Sequence, residues 1–499
     1  MLVSDDLLLY YQRCDRRAFL DVFGDSGDRD PLDDFLLKLR QDSRCHRQEV
    51  LAQYDYHRPH WSGDDWYGAT QATLELMEQG VESIYRGVLS APWLPGVHLL
   101  SKPDLLVRHP GSSQFGDWIY VPHDIRFGKR PKLDYQIVGA FHGLVLSLLQ
   151  GVWPDTTELV LRGRKPHAVD FPKRVPEMQQ LLYDCIVTLR GSQTPELFLS
   201  RQKCNLCHWY SACHQVAESE RHLSLIPGVT PSRYDQLQGM GITSLSSLAN
   251  APRSQLKMAF GAEAGNQLAQ QAMASYEQQP LLRDGAMTHL LASPGNHWLA
   301  APHPAIEIHF DIEAEPDLDL DFLLGALVID HRHQSQTYYG FMAKNPEEEG
   351  RIWQQFLALM ESYPDALIFH FCDYEVKTIQ RLARLYKTPK YRYQALVNRC
   401  VDIHWWVTHS SILPVESYAL KPIARWLGFH WRNPQANGAQ CICWYNEWLT
   451  DQDPKCLEAI LEYNEDDCCA TYELKTWLYQ FLKPYYLGAI GQDLAMKNG

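Results

Sequence analysis

Cys14 stands alone near the start of the chain, and the next patterned cysteines come almost two hundred residues later, at Cys204, Cys207 and Cys213 in the spacing C-x2-C-x5-C. A metal or cluster needs soft ligands that converge on one point. Ligands this far apart would tie the start of a domain to its end. Such a site closes a very large loop, and much of the domain's stability would depend on the metal. Zinc is an alternative occupant, since C-x2-C spacing suits it and His208 and His214 are neighbours. Plain buried thiols are another. Cys441, Cys443, Cys468 and Cys469 show no comparable pattern and read as packing residues.

The remaining composition is that of globular protein, with 499 residues, 45% hydrophobic and 21% charged. That length suggests roughly two to four domains. No run of eighteen apolar residues occurs, so no membrane span is expected. The opening Met1-Leu-Val-Ser-Asp-Asp is acidic and does not read as a secretory signal. Thirteen cysteines then fit a reducing cytoplasm, the expected location, better than a disulfide framework. The net charge is −14 and uneven: from residue 290 onward 17 Lys+Arg face 27 Asp+Glu. Acidic clusters are either solvated faces or carboxylates gathered around a divalent ion. Nucleic-acid binding stays open, because it depends on local basic patches.

The C-terminal third carries the clearest chemistry. Ala305-Ile-Glu-Ile-His-Phe-Asp-Ile-Glu alternates as a strand does and puts Asp311 and Glu313 on one face. A turn is expected at Asp319–Asp321, then a second strand from Leu323. Two carboxylates on one strand face are costly unless they hold a cation. Leu367-Ile-Phe-His-Phe reads as a strand followed by a helix with Asp373 and Glu375 near its start. Farther on, the stretch from Leu457 reads as a helix on which Tyr463 and Asp467, four apart, share a face.

D-x-E, an acid after a strand, then Y-x3-D on a late helix is an order that resembles the DEDD exonucleases of the RNase H-like fold, in the subclass with tyrosine. The resemblance implies four carboxylates holding two divalent ions, Mg2+ or Mn2+, with the tyrosine orienting the attacking water. Asp311 and Glu313 match the first motif, and Tyr463 with Asp467 the last. Tyr374-Glu375 stands where that family has Phe-Asp, so Glu375 is the third carboxylate, with Asp373 as its rival. Lys421, in Tyr418-Ala-Leu-Lys, matches a segment before the last helix and is a candidate phosphate contact or packing residue.

The early-one, late-three cysteine arrangement resembles RecB-like nucleases with a 4Fe–4S cluster, which implies that cofactor on Cys14, Cys204, Cys207 and Cys213. Their PD-(D/E)xK hairpin is matched by Asp104 on a first strand and by Asp124 with Arg126 on a second. Arg126 replaces the usual lysine; it stays protonated and presents a broad fork rather than a point charge. Val138 and His142 stand where a Q-x3-Y helix is expected. Lys129, Arg130 and Lys132 are candidates for a phosphate path.

Between these segments, Leu225-Ile-Pro-Gly-Val-Thr-Pro has the form of a helix-hairpin-helix, with Gly228 letting backbone amides approach phosphate; an ordinary turn in a helical spacer is the other reading. The expected architecture is α/β: a RecB-like, restriction-endonuclease-type core over 1–216, a small helical hairpin domain over 217–283, a linker at Leu291–Pro304, and an RNase H-like domain with a mixed sheet over 290–499. This order resembles RecB-like nucleases with a C-terminal RNase H-like domain. It implies metal-dependent 3′→5′ hydrolysis of nucleic acid, DNA rather than RNA, with the N-terminal domain gripping or cutting the strand and a helicase as candidate partner. A non-catalytic DNA-binding scaffold with decayed sites is the alternative.

Overall fold

The computed structural model describes residues 1–499 apart from 33, 64, 293–296, 301–304 and 499. The chain divides into two compact units, Met1–Val216 and Ala217–Gly499. Among the described residues no helix is long and apolar enough to cross a membrane.

The first unit is organised by the helix Leu133–Gln150, whose sequence is apolar nearly all round and whose middle, Ile137 to Leu146, is buried. A helix with that pattern must lie in a core. It connects the strand Gly116–Arg126 to the parallel strand Glu158–Leu161, the crossover that parallel pairing requires. Gly151 ends it in the left-handed region, φ 78°. The five-stranded sheet runs Ser83–Tyr85, Leu105–Ser113, Gly116–Arg126, Glu158–Leu161, His167–Ala168. A separate three-stranded sheet pairs Leu2–Ser4 in parallel with Val97–Ser101, which pairs antiparallel with Leu89–Leu94.

The second unit opens with short helices. Pro231–Gly239 is capped by Thr230, and Ala262–Glu277 is followed by the strand Leu281–Leu282, which pairs with Ser411–Ile412. Gln271 donates to the Leu413 carbonyl at 2.7 Å and accepts from the Tyr418 hydroxyl at 2.9 Å. These helices are therefore fastened to the α/β segment that follows. Eight of the fourteen residues Leu291–Pro304 lie outside the described residues; within the rest of the expected linker His297–Ala300 is a helical turn.

That segment is a five-stranded mixed sheet in the order Ser335–Met342, Leu320–Asp330, Ile306–Glu315, Leu367–His370, Cys400–Asp402. The first three pair antiparallel, and Leu367–His370 is parallel to both its neighbours. The turn into Leu320–Asp330 comes earlier than the sequence suggests: it covers 316–319, Asp319 has φ 51°, and Asp321 already lies in the strand. There Asp321 accepts from the Tyr374 hydroxyl at 3.0 Å and pairs with Arg381. Phe310, Trp353 and Phe356 fill one side of the sheet. Each buried side chain of this size contributes about 2–3 kcal/mol. The long helix Pro454–Asn498 crosses the same sheet.

Candidate active site

The strand Ile306–Glu315 alternates apolar and polar residues, so Glu307, His309, Asp311 and Glu313 share one face. On the helix Pro454–Asn498, Asn464, Asp467, Thr471 and Lys475 recur at helical spacing. The two stripes meet. Lys475 pairs with Glu307 at one end, and Asn464 Nδ2 donates to Asp311 Oδ2 at 2.7 Å farther along. The result is a polar seam buried between strand and helix.

At its centre, carboxylate oxygens of Asp311, Glu313 and Asp467 lie within 4.8 Å of one another. Glu313 and Asp467 are 7% and 8% exposed. Burial, then the charges of Asp467, Glu313 and Glu375, push the Asp311 carboxyl well above its ordinary range. Burial and Asp467 do the same to Glu313, against a hydrogen bond from Asn464. Asp467 is pushed up to about 6 by burial, opposed by hydrogen bonds from Trp431 and Tyr463. Such a concentration of buried anionic groups is relieved either by protons or by a cation. The donor set, three carboxylates at close range, suits a hard divalent ion.

Around the acids stand aromatic and basic groups. Trp431 donates its indole N–H to Asp467 Oδ1 at 2.7 Å. Burial, then the neighbouring acids, raise the Tyr463 phenol, so it stays protonated. The Lys421 ammonium lies 4.8 Å from the centre of the Tyr463 ring and 5.3 Å from that of Trp431, and it donates to the Ala436 carbonyl.

The structure separates the two rivals for the middle position. Glu375 is 4% exposed at the start of the helix Tyr374–Leu385, with His370 Nδ1 3.4 Å away, and its charge acts on Asp311. Asp373 points into solvent, its side chain 70% exposed and paired with Lys377. Asp402 caps the helix Ile403–Ser410 by accepting from Trp405 N at 3.0 Å, a structural task.

Residues 308–479, which contain the three clustered acids, Glu375, Lys421, Trp431 and Tyr463, match the family model of the RNase H superfamily. The C-terminal segment is an RNase H-like domain. No curated protein matches the chain. The acidic centre of the RNase H-like domain is therefore a site in a nuclease-type fold, and acidic groups able to hold the divalent metal of such nucleases are present.

In the first unit, Asp104 and Asp124 also come together, but each is already paired. Arg126 Nε is 2.7 Å from Asp124 Oδ2, and Arg47 Nε is 2.7 Å from Asp104 Oδ1. Asp104 precedes its strand, which begins at Leu105, and it accepts from Ile125 N at 2.8 Å. Burial, then Asp124, push its carboxyl up to about 6. Asp5 and Lys102 share with these groups a cavity of about 350 Å³. His142 is buried, with Nδ1 2.7 Å from Ser101 Oγ. Lys129, Arg130 and Lys132 are exposed in the connection that enters the helix Leu133–Gln150. In the second unit Gly228 takes φ 93°, and Arg233 Nη1 donates to its carbonyl at 2.7 Å.

The four patterned cysteines line one small cavity of about 20 Å³ with Arg16 and Arg17. Cys14 sits in the break between the helices Asp5–Arg13 and Asp15–Phe23, while Cys213 lies in Tyr210–Glu220. Burial raises each thiol. His208 turns instead to Asp21, 2.7 Å away.

Sequence reasoning missed Asn464, Trp431 and Tyr338 in the RNase H-like domain, and Asp5 and Arg47 in the first unit. Asn464 had a signal: it lies three residues before Asp467, on the same helix face. The others reach their partners only through the fold.

Proposed function

We propose that this chain is a metal-dependent nuclease that removes nucleotides from the 3′ end of single or frayed DNA strands through its RNase H-like domain. The observation that carries the reading is the convergence of Asp311, Glu313 and Asp467 within 4.8 Å in a buried seam. These three, with Glu375 as a fourth, would hold Mg2+ or Mn2+; bound there, the ions supply an activated water and stabilise the leaving oxygen. Tyr463, kept protonated and with its O–H directed at Asp467, would orient the attacking water by accepting from it through the hydroxyl oxygen rather than by taking a proton. Lys421 offers positive charge next to Asp467 and Glu313, where a phosphate would arrive. The seam's apolar flanks limit solvent, which strengthens each of these interactions.

The first unit grips the strand. Arg47 and Arg126 neutralise its acid pair, while Lys129, Arg130 and Lys132 remain open to phosphate. Gly228 offers backbone amides to a second stretch of backbone. Cys14, Cys204, Cys207 and Cys213 carry a 4Fe–4S cluster that locks the ends of this unit, and a helicase would supply the strand.

The test is cleavage of 3′- and 5′-labelled single strands, DNA and RNA, by anaerobically purified protein with Mn2+. Stepwise shortening from the 3′ end of DNA, lost by at least about 100-fold in Asp311→Ala and Asp467→Ala, is expected when a metal ligand is removed. Cleavage that survives both substitutions and disappears in Asp124→Ala would move the activity to the first unit.

A further inference from the structure

We propose that Asn464 is a positioning residue for the acidic centre, with Tyr338 fixing which end of its amide faces the carboxylates. The proposal rests on the nuclease reading above. It starts from two glycines. Asp311 is directly opposite Gly325 in the antiparallel pair, and Gly325 is directly opposite Gly340 on the next strand. A Cβ on Gly325 would come within 1.6 Å of Asn464 Oδ1, and one on Gly340 within 2.4 Å of Leu461 Cδ2. A side chain at either position would push Asn464 or Leu461 out of its place. The bare backbone lets the helix descend onto the sheet beside Asp311.

The space so opened is filled by one side chain. Asn464 is fully buried. Its Oδ1 accepts from the Tyr338 hydroxyl at 2.8 Å, and its Nδ2 donates to Asp311 Oδ2 at 2.7 Å. The same side chain draws the Glu313 carboxyl downward, against burial and the charge of Asp467. An amide has a donating and an accepting end, and a flip would set its carbonyl against the acids. Tyr338 favours the orientation seen, because its hydroxyl donates to Oδ1 and leaves the NH2 end for Asp311, whose carboxylate can only accept. Asp311, one of the three clustered acids, is thus held by a neutral group that adds no charge to an already crowded anionic site. Preorganised ligands bind an ion more tightly than ligands that must be reoriented.

The experiment titrates Mn2+ into the full-length protein by calorimetry without substrate, and separately measures kcat and KM on a labelled oligodeoxynucleotide. In Asn464→Ala the Mn2+ Kd should rise about 10-fold or more and kcat should fall, with KM for the strand unchanged, as for other residues that orient metal ligands. Tyr338→Phe removes only the hydroxyl and should give a smaller change of the same kind. Asn464→Ala that folds with wild-type Kd and kcat overturns the proposal. If Asn464→Ala does not fold, Tyr338→Phe decides, and wild-type values there overturn it equally. Wild-type protein that takes up no Mn2+ overturns the nuclease reading and this proposal together, whereas uptake unchanged in the variants overturns this proposal alone.

Discussion

The Trp431 indole N–H is bonded to Asp467 Oδ1 at 2.7 Å, and both side chains are buried. A carboxylate held by a fixed donor is already oriented when an ion arrives. Trp431→Phe keeps an aromatic ring and removes the donor. The Mn2+ Kd should rise about 10-fold, the usual scale for losing a partner of a metal ligand. Thermal stability should fall by about 1 kcal/mol for the lost hydrogen bond. Calorimetry and thermal unfolding read the two effects separately, and unchanged Mn2+ affinity would remove Trp431 from the site.

Glu375 and Asp373 differ in where the fold puts them, although both begin the same helix. Glu375→Gln should cut turnover at least about 10-fold, because it takes a buried charge from beside Asp311. Asp373→Ala should leave turnover within about twofold, since Asp373 pairs with Lys377 at an exposed surface, where such pairs are worth little. Steady-state kinetics of the two variants settle the assignment, and the reverse pattern would hand the role to Asp373.

How far the sequence could be read depended on the range of the interaction. Alternation placed Asp311 and Glu313 on one face, and i,i+4 spacing placed Tyr463 with Asp467; both are local periodicities that survive folding. The strand after the turn was placed three residues late, at Leu323 instead of Leu320, because a chain of alternating Asp and Leu does not reveal where a strand resumes. Arg47 was invisible: its partner Asp104 is nearly sixty positions away, and no local pattern in the helix Asp34–Leu51 points to it. Trp431 reaches Asp467 from a connection with no periodicity, and Tyr338 reaches Asn464 from a strand two places across the sheet.

His123, on the strand Gly116–Arg126, is 8% exposed. Burial, then the nearby His109, pull its pKa down to about 4 from 6.5. A histidine held neutral in this way supports folding above pH 6.5, and that support is lost as pH falls toward 4, because the unfolded chain takes up the proton first. The full effect is about 3 kcal/mol. Denaturant unfolding of the wild type should lose stability across this window, and His123→Phe should show a shallower slope. Parallel slopes would mean that other groups drive the acid response.

The cysteine clasp gives the last expectation. Cys14, Cys204, Cys207 and Cys213 line one cavity, yet among the described residues the groups with ligand atoms within 4.8 Å of one another contain no cysteine. Thiolates on a single zinc sit roughly 4 Å apart, as follows from a Zn–S distance of about 2.3 Å in a tetrahedron. A cluster, larger than one ion, accepts a wider set. On the cluster proposal, anaerobically purified protein should be brown and contain iron and sulfide. Cys14→Ala should lose the iron, while Cys45→Ser, at an exposed cysteine, should keep it. The loss should also destabilise the first unit. A cross-link over a loop this long stabilises by about 5 kcal/mol in the chain-entropy picture, and metal binding energy becomes folding energy in the same way. Bound metal also replaces the protons that burial keeps on the thiols, so iron retention should weaken as pH falls. Iron and zinc analysis with thermal unfolding decides the outcome: stoichiometric zinc without iron moves the site to a single ion, and metal-free protein as stable as Cys14→Ala leaves the four thiols as packing residues.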